Sequence, residues 1–232
     1  MTRLLIHVEG PTEEVFVNEV LRPHLQGKGY DLVSARIVGN ARLRRQRSGI
    51  RPWPSVRKDI AKHLLEDPQC VATTMVDYYA LPQSGEKAWP GRAQASRMNL
   101  GSHQKASLVE KALLADLAGQ MGNRFDPRRF VPFVVMHEFE GLLFSDCAAF
   151  CRGIGRPDLE TKLKEVRDAF PTPEEINDSP ETAPSKRVEE LMPGYDKPLS
   201  GTLAVLEIGL TRIRAECPHF ANWLTRLETL AA

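Results

Sequence analysis

The sequence predicts an α/β protein with a parallel sheet flanked by helices and a helical C-terminal extension. Three observations predict it. Short apolar runs alternate with amphipathic stretches over the first 150 or so residues. The apolar runs are continuous enough to be buried on both faces, as strands of a parallel sheet are. After Gly155 the character changes to helices joined by a proline-rich loop.

Leu4 to Val8 reads as the first buried strand, broken by Gly10-Pro11-Thr12. Thr12 suits an N-cap, and Glu13 and Glu14 then fall in the first turn, where negative charge matches the helix dipole. Val15, Phe16, Glu19, Val20 and Leu25 follow helical spacing to about Gly27. Leu32 to Val38 alternates as a second strand. Gly39 to Pro54 is a basic loop, and Ser55 to Leu65 a helix with Val56, Ile60 and Leu64 on one face. Val71 to Val76 is an uncharged, β-branched third strand ending at Asp77. Residues 80 to 104, rich in Pro, Gly, Ser and Gln, read as a long surface loop. Ser107 to Gly119 is a helix, Phe130 to Met136 a fourth strand, and Leu142 to Phe150 a short helix. Beyond that lie a charged helix from Asp158 to Phe170, a proline-rich loop over 171–184, a helix from Ser185 to Met192, and a helical pair from Leu203 to Leu230 interrupted at Pro218. The division is therefore a core over 1–155 and a helical extension over 156–232 packed on it.

Composition bounds the function classes. Apolar residues make up 42% and charged residues 26%, ordinary for a chain with a sizeable core. A net charge of +1 gives no global attraction to nucleic acid or anionic membrane, so any such attraction must be local. The N-terminal apolar run is too short for a signal segment, and no apolar run has the length of a membrane span, which leads us to expect a cytoplasmic protein with reduced cysteines. Cys147 and Cys151 are spaced C-x3-C, but no second pair stands at zinc-ligand spacing, so these read as buried or free thiols.

The chemistry-bearing pattern is at the strand ends. Strand one ends at Glu9, with Glu13 a turn later; strand three ends at Asp77; strand four runs into His137-Glu138-Phe139-Glu140. In open parallel sheets ligands bind beyond the carboxyl ends of the strands. Carboxylates gathered there repel one another and need a cation, and an all-oxygen set favours Mg2+ or Mn2+ over zinc. The competing reading is local: Glu13 and Glu14 equally suit a helix start, and Asp77 a turn. Glu138 and Glu140 share a side if the strand continues and diverge if a helix begins. His7 and His137 flank these ends, though a strand histidine is more often packed than catalytic.

The basic cluster comprises Arg42, Arg44, Arg45, Arg47, Arg51, Arg57 and Lys58, with Trp53 beside them. Arginine forks pair with phosphates and tryptophan stacks on bases, so this stretch reads as a phosphate track, which His103 and Lys105 would extend. Ile213, Phe220, Trp223 and Leu227 read as helix packing.

The segments V-E-G-P-T-E-E at 8–14, M-V-D-Y-Y-A-L-P at 75–82, H-E-F-E-G-L-L-F-S-D at 137–146 and A-P-S-K-R at 183–187 resemble a bacterial family of domains of unknown function, family 4276. The resemblance runs in matching order over most of the chain. It implies a relation to Toprim domains, including the nuclease domain of overcoming-lysogenization-defect proteins. Toprim domains carry a Glu after the first strand and a D-x-D after a later one, and both serve divalent metal. Glu9 matches the first, and Asp77 the first Asp of D-x-D. Tyr79 stands at the second Asp, a departure that Glu138 or Glu140 would compensate; Glu13 matches a second Glu of the nucleases.

The resemblance implies metal-assisted phosphodiester hydrolysis, with Glu9, Glu13, Asp77, Glu138 and Glu140 as the metal-ligand set. Glu9, Asp77, Glu138 and Lys186 form the catalytic set. Lys186 and Arg187 would neutralise the scissile phosphate, a role to be set against ordinary surface helix charge. The expectation is a Mg2+- or Mn2+-dependent nuclease acting on nucleic acid in phage defence or DNA processing. The resemblance also implies a separate ATPase partner; G-x4-G-K-[ST] does not occur in this chain. Two rivals stand beside it: a non-catalytic Toprim-like module that binds nucleic acid or protein, and a small-molecule phosphohydrolase whose turnover would lack the steep salt dependence of polyanion binding.

Overall fold

The computed structural model describes residues 1–38, 50–176, 179 and 182–231. Its centre is a parallel sheet of β1 (Arg3–Val8), β2 (Leu32–Ile37), β3 (Cys70–Asp77), β4 (Phe130–Val131) and β5 (Val134–Val135). The order is β2-β1-β3-β4, with β5 also on β3. Every pairing is parallel, and His7 lies level with Thr74.

The fourth predicted strand is two short pieces. Pro132, which has no N–H to donate to a ladder, lies between them. The Thr74 hydroxyl spans the gap, accepting from Phe133 N and donating to Phe133 O, both at 2.9 Å. The sheet thus stays bonded through a side chain where the backbone ladder fails.

The helices are α1 (Pro11–Phe16), continued through a π-helical turn at Val17–Leu21 into α2 (Arg22–Gln26), then α3 (Trp53–Glu66), α4 (Arg92–Arg97), α5 (Ser102–Met121), α6 (Glu140–Leu143), α7 (Cys147–Gly153), α8 (Glu160–Asp168), α9 (Pro184–Leu191), α10 (Lys197–Glu216) and α11 (Pro218–Ala231). Gly10, not Thr12, caps α1, because Pro11 already takes the first helical position that its fixed φ favours. The predicted break at Pro218 is present. A second break lies inside α10 at Gly209, whose φ of 73° is left-handed.

Successive residues of β1 and β3 feed opposite faces. Leu4, Ile6, Val8, Val71 and Met75 join α1, α2 and the C-terminal helices in one apolar cluster; Ala72 and Val76 join α3, α4 and α5 in the other. The helices beyond residue 155 are part of the first cluster: Phe220, Trp223, Leu224 and Leu227 of α11 are buried in it. Burying a side chain of this size contributes about 1.5–3 kcal/mol, so the first cluster carries much of the fold's stability. α7 meets α10 so closely that a Cβ on Gly153 would stand 2.7 Å from the Leu203 carbonyl oxygen.

The stretch over 80–104 is not a surface loop throughout. It contains α4, and Trp89 and Arg92 are buried. Arg92 donates from Nε to Tyr78 O at 2.9 Å and lies over the Tyr78 ring. Its polar composition misled because one tryptophan and one arginine, the first buried and the second buried and bonded to Tyr78, suffice to anchor it. Among the described residues, no helix is long and apolar enough to cross a membrane. The four cysteines are free and buried.

Candidate functional site

The strand order sets the site. From β1 the chain crosses to β2 on one side, and from β2 it crosses to β3 on the other, so the carboxyl ends of β1 and β3 form a topological switch point. Glu9 leaves β1 there, and the register places it one residue short of Asp77 at the end of β3.

Glu9, Glu13, Asp77, Glu138 and Glu140 line one cleft of about 860 Å³, together with Ser185 and Lys186 of α9 and Tyr195 and Lys197 at the start of α10. Asp77 Oδ1 accepts from Phe139 N at 2.9 Å, which holds the turn carrying Glu138 and Glu140 against the end of β3. Glu138 Oε2 accepts from Ser185 N, at the start of α9, at 3.1 Å. Glu13 Oε2 accepts from Gly10 N at 3.0 Å, so this side chain closes its own helix start while facing the cleft. Glu138 and Glu140 both line the cleft although α6 begins at Glu140, the case in which the sequence has them diverge.

Burial drives the electrostatics. It pushes the Glu9 carboxyl up to about 8, helped by the charge of Glu13 and opposed by a hydrogen bond with the Asp77 backbone. Burial also raises Glu13, and Asp77 goes well above the carboxylate range through burial and then Glu9, Glu13, Glu140 and Glu138. Glu140 rises to about 7, with burial ahead of the opposing pull of Lys197. For Lys197 burial works against the charge, and Glu140, Glu138 and Asp77 outweigh it, raising the ammonium's pKa. Lys197 Nζ lies 3.4 Å from Glu140 Oε2 and 3.8 Å from Glu138 Oε2. Glu9 Oε2 is buried with no hydrogen-bond partner, and so is the Tyr195 hydroxyl.

The remaining candidates fall elsewhere. Lys186 lines the cleft, but its Nζ donates to Glu189 Oε2 on its own helix at 2.6 Å. Arg187 is not among the cleft residues; its Nε donates to Thr182 O and its guanidinium lies over Phe170. Arg42, Arg44, Arg45 and Arg47 lie outside the described residues. Arg51 is engaged locally, donating to Asp59 at 2.8 Å and to Ser55. Trp53 cannot stack on a base as expected: it is 2% exposed, its Nε1 donates to Asp116 at 2.6 Å, and its ring packs on Trp89. Arg57 shares Asp116. His103 stands 3.2 Å from Glu174, and Lys105 is buried.

Tyr79, at the second Asp position, is outside the cleft. Its ring stacks on His137 with centroids 5.1 Å apart, against the α3–α5 cluster. His137 is buried there too, its Nε2 3.3 Å from Ser102 Oγ. His7 has Nδ1 3.1 Å from Thr73 O, and burial lowers its pKa to about 4. Both are packed histidines.

Sequence reading missed Lys197, Tyr195 and the Ser185 backbone. Asp196-Lys197-Pro198 reads as a helix start, and Asp196 Oδ1 does cap α10 by accepting from Leu199 N. Nothing local to that motif says what the lysine faces.

The donor set suits a hard divalent cation: it is all oxygen, it lines one cleft, burial raises Glu9, Glu13, Asp77 and Glu140, and it contains one buried carboxylate oxygen without a partner. Among the described residues, no three His, Cys, Asp or Glu side chains stand close enough together to hold an ion directly. Mg2+ keeps several of its waters, so a wide set of carboxylates remains compatible with it.

A family model described as "Domain of unknown function (DUF4276)" matches residues 8–228. No curated protein and no solved structure matches the chain.

Proposed function

The chain belongs to that DUF4276 family, and we propose that it is a Mg2+- or Mn2+-dependent nuclease, a phosphodiester-cleaving hydrolase on a Toprim-like sheet. The observation that carries this reading is the convergence of Glu9, Glu13, Asp77, Glu138 and Glu140 on one cleft at the switch point of a parallel sheet. Glu9, Asp77, Glu138 and Glu140 would hold the metal. When bound, it supplies Lewis-acid stabilisation of phosphoryl charge and a water acidic enough to attack at neutral pH.

The chain's own groups do the rest. The Asp77–Phe139 bond fixes the spacing of the strand-end carboxylates. The start of α9 holds Glu138 through Ser185 N and places Lys186 at the rim, where its ammonium meets an incoming phosphate if it leaves Glu189. The buried Tyr195 hydroxyl offers a donor to an anionic ligand in the cleft. Nucleic acid is the proposed substrate, a separate ATPase the proposed partner and the cytoplasm the proposed location, in phage defence or DNA processing.

A second reading is a non-catalytic binding module. It is favoured by Lys197, which already sits against Glu138 and Glu140 as a cation.

Calorimetric titration of Mn2+ into the protein, beside Glu9→Gln and Asp77→Asn, separates the two. Binding lost in both variants, followed by Mg2+-dependent cleavage in a screen of single- and double-stranded DNA and RNA, supports the nuclease. No binding at millimolar Mn2+, with or without nucleic acid, leaves the binding module.

A further inference from the structure

Lys197 stands where helix electrostatics would not put it. It is the first residue of α10, whose amino end carries the positive end of the helix dipole, a position that disfavours an ammonium. Asp196 caps that end and Pro198 fixes the backbone after it, so the Lys197 backbone is held at the mouth of the cleft. What compensates is across the cleft: Glu140 Oε2 at 3.4 Å and Glu138 Oε2 at 3.8 Å. The other lysine of the cleft, Lys186, is matched on its own helix by Glu189. Among the described residues of the cleft, Lys197 is therefore the cation directed at the proposed metal ligands.

We propose that Lys197 is a tethered counter-cation that competes with the divalent metal for Glu138 and Glu140. This rests on the metal-site reading of the cleft. Without metal, the ammonium partly neutralises the carboxylates. A divalent ion among the same oxygens repels it, so loading the metal drives Lys197 off Glu140 and frees it for the substrate's phosphate. The side chain is built for such a move: a flexible four-carbon stem with 39% of its surface exposed, whose ammonium is held by the two carboxylates that a metal would take. The device couples metal loading to the availability of a phosphate-binding cation.

The test is Mn2+ titration by calorimetry of the wild type, Lys197→Met and Lys197→Arg. Methionine keeps the stem without the charge. Competition predicts that Lys197→Met binds Mn2+ about tenfold more tightly or better, that Lys197→Arg returns affinity to near the wild-type value, and that the metal-free Lys197→Met protein melts lower yet gains more from Mn2+. A merely structural lysine predicts the opposite sign, weaker binding in Lys197→Met. If that variant does not fold, Lys197→Gln replaces it. Equal or weaker Mn2+ binding by the uncharged variant, while the wild type binds, overturns the inference alone. No binding by the wild type or any Lys197 variant overturns the metal-site reading and the inference with it.

Discussion

The backbone N–H of Phe139 donates to Asp77 Oδ1 at 2.9 Å, so one carboxylate both ends β3 and holds the turn that carries two more. Asp77 thus has two roles that substitution separates. Asn keeps the acceptor and removes the charge; Ala removes both. Because burial and its acidic neighbours disfavour the Asp77 charge, Asp77→Asn should melt several degrees higher than wild type in metal-free buffer and lose Mn2+ binding. Asp77→Ala leaves the Phe139 N–H unpaired, and its stability should fall below that of Asp77→Asn by about 1–3 kcal/mol. Thermal melts with and without chelator, beside calorimetry, check both.

Restoring the second Asp of D-x-D should not improve the metal site. Residue 79 stacks on His137 on the other side of the strand ends, so Tyr79→Asp should bind Mn2+ no more tightly than wild type. It should also lose stability, by about 1–3 kcal/mol, because a half-buried ring is replaced by a charge. Glu140→Gln, by contrast, should weaken Mn2+ at least tenfold, a loss of about 1.4 kcal/mol or more. Parallel titrations compare the two.

Glu174 caps α11 from a distance. It is 1% exposed, and its two carboxylate oxygens accept from Phe220 N at 2.9 Å and His219 N at 2.8 Å. Glu174→Ala removes the acceptor of both N–H groups and should cost about 2–4 kcal/mol, the sum of a lost cap and a buried unsatisfied group. Urea unfolding followed by tryptophan fluorescence reports it, since Trp223 sits in α11 and donates from its indole to Thr73 Oγ1 at 2.8 Å.

The acid limit of stability has a local contributor in Glu228. Arg214 grips it with bonds of 2.7 and 2.9 Å and His24 approaches at 2.6 Å, tying α2, α10 and α11 together. The Arg214 bonds hold the Glu228 carboxyl below its usual range. A lowered folded-state pKa gives stability that is present above the unfolded value, near pH 4.3, and is lost as pH falls through the folded one. Wild type should therefore exceed Arg214→Met by about 1–2 kcal/mol at neutral pH, a modest figure because Arg214 is partly exposed, and the gap should close toward pH 3. Chemical denaturation at stepped pH measures the gap.

Strand–helix alternation and the acidic strand ends were legible because both are local. An apolar run with a Gly-Pro break, or a β-branched stretch ending in Asp, declares itself within a dozen residues. That is why Glu9, Asp77, Glu138 and Glu140 stand out as strand-end carboxylates in the sequence itself. Within the described part of the basic stretch, composition counts Arg51, Arg57 and Trp53 for the same reason, but not the Asp59 and Asp116 that engage them.

Sequence by itself determined the parallel α/β class and which carboxylates stand at strand ends, since hydrophobic period and turn chemistry are written residue by residue. Only the tertiary structure decided that β1 and β3 are neighbours at a switch point, that Tyr79 turns away, and that Lys197 meets Glu138 and Glu140. Those partners lie tens of residues apart, and a side chain's charge partner is set by how helices pack on the sheet, which no local pattern encodes.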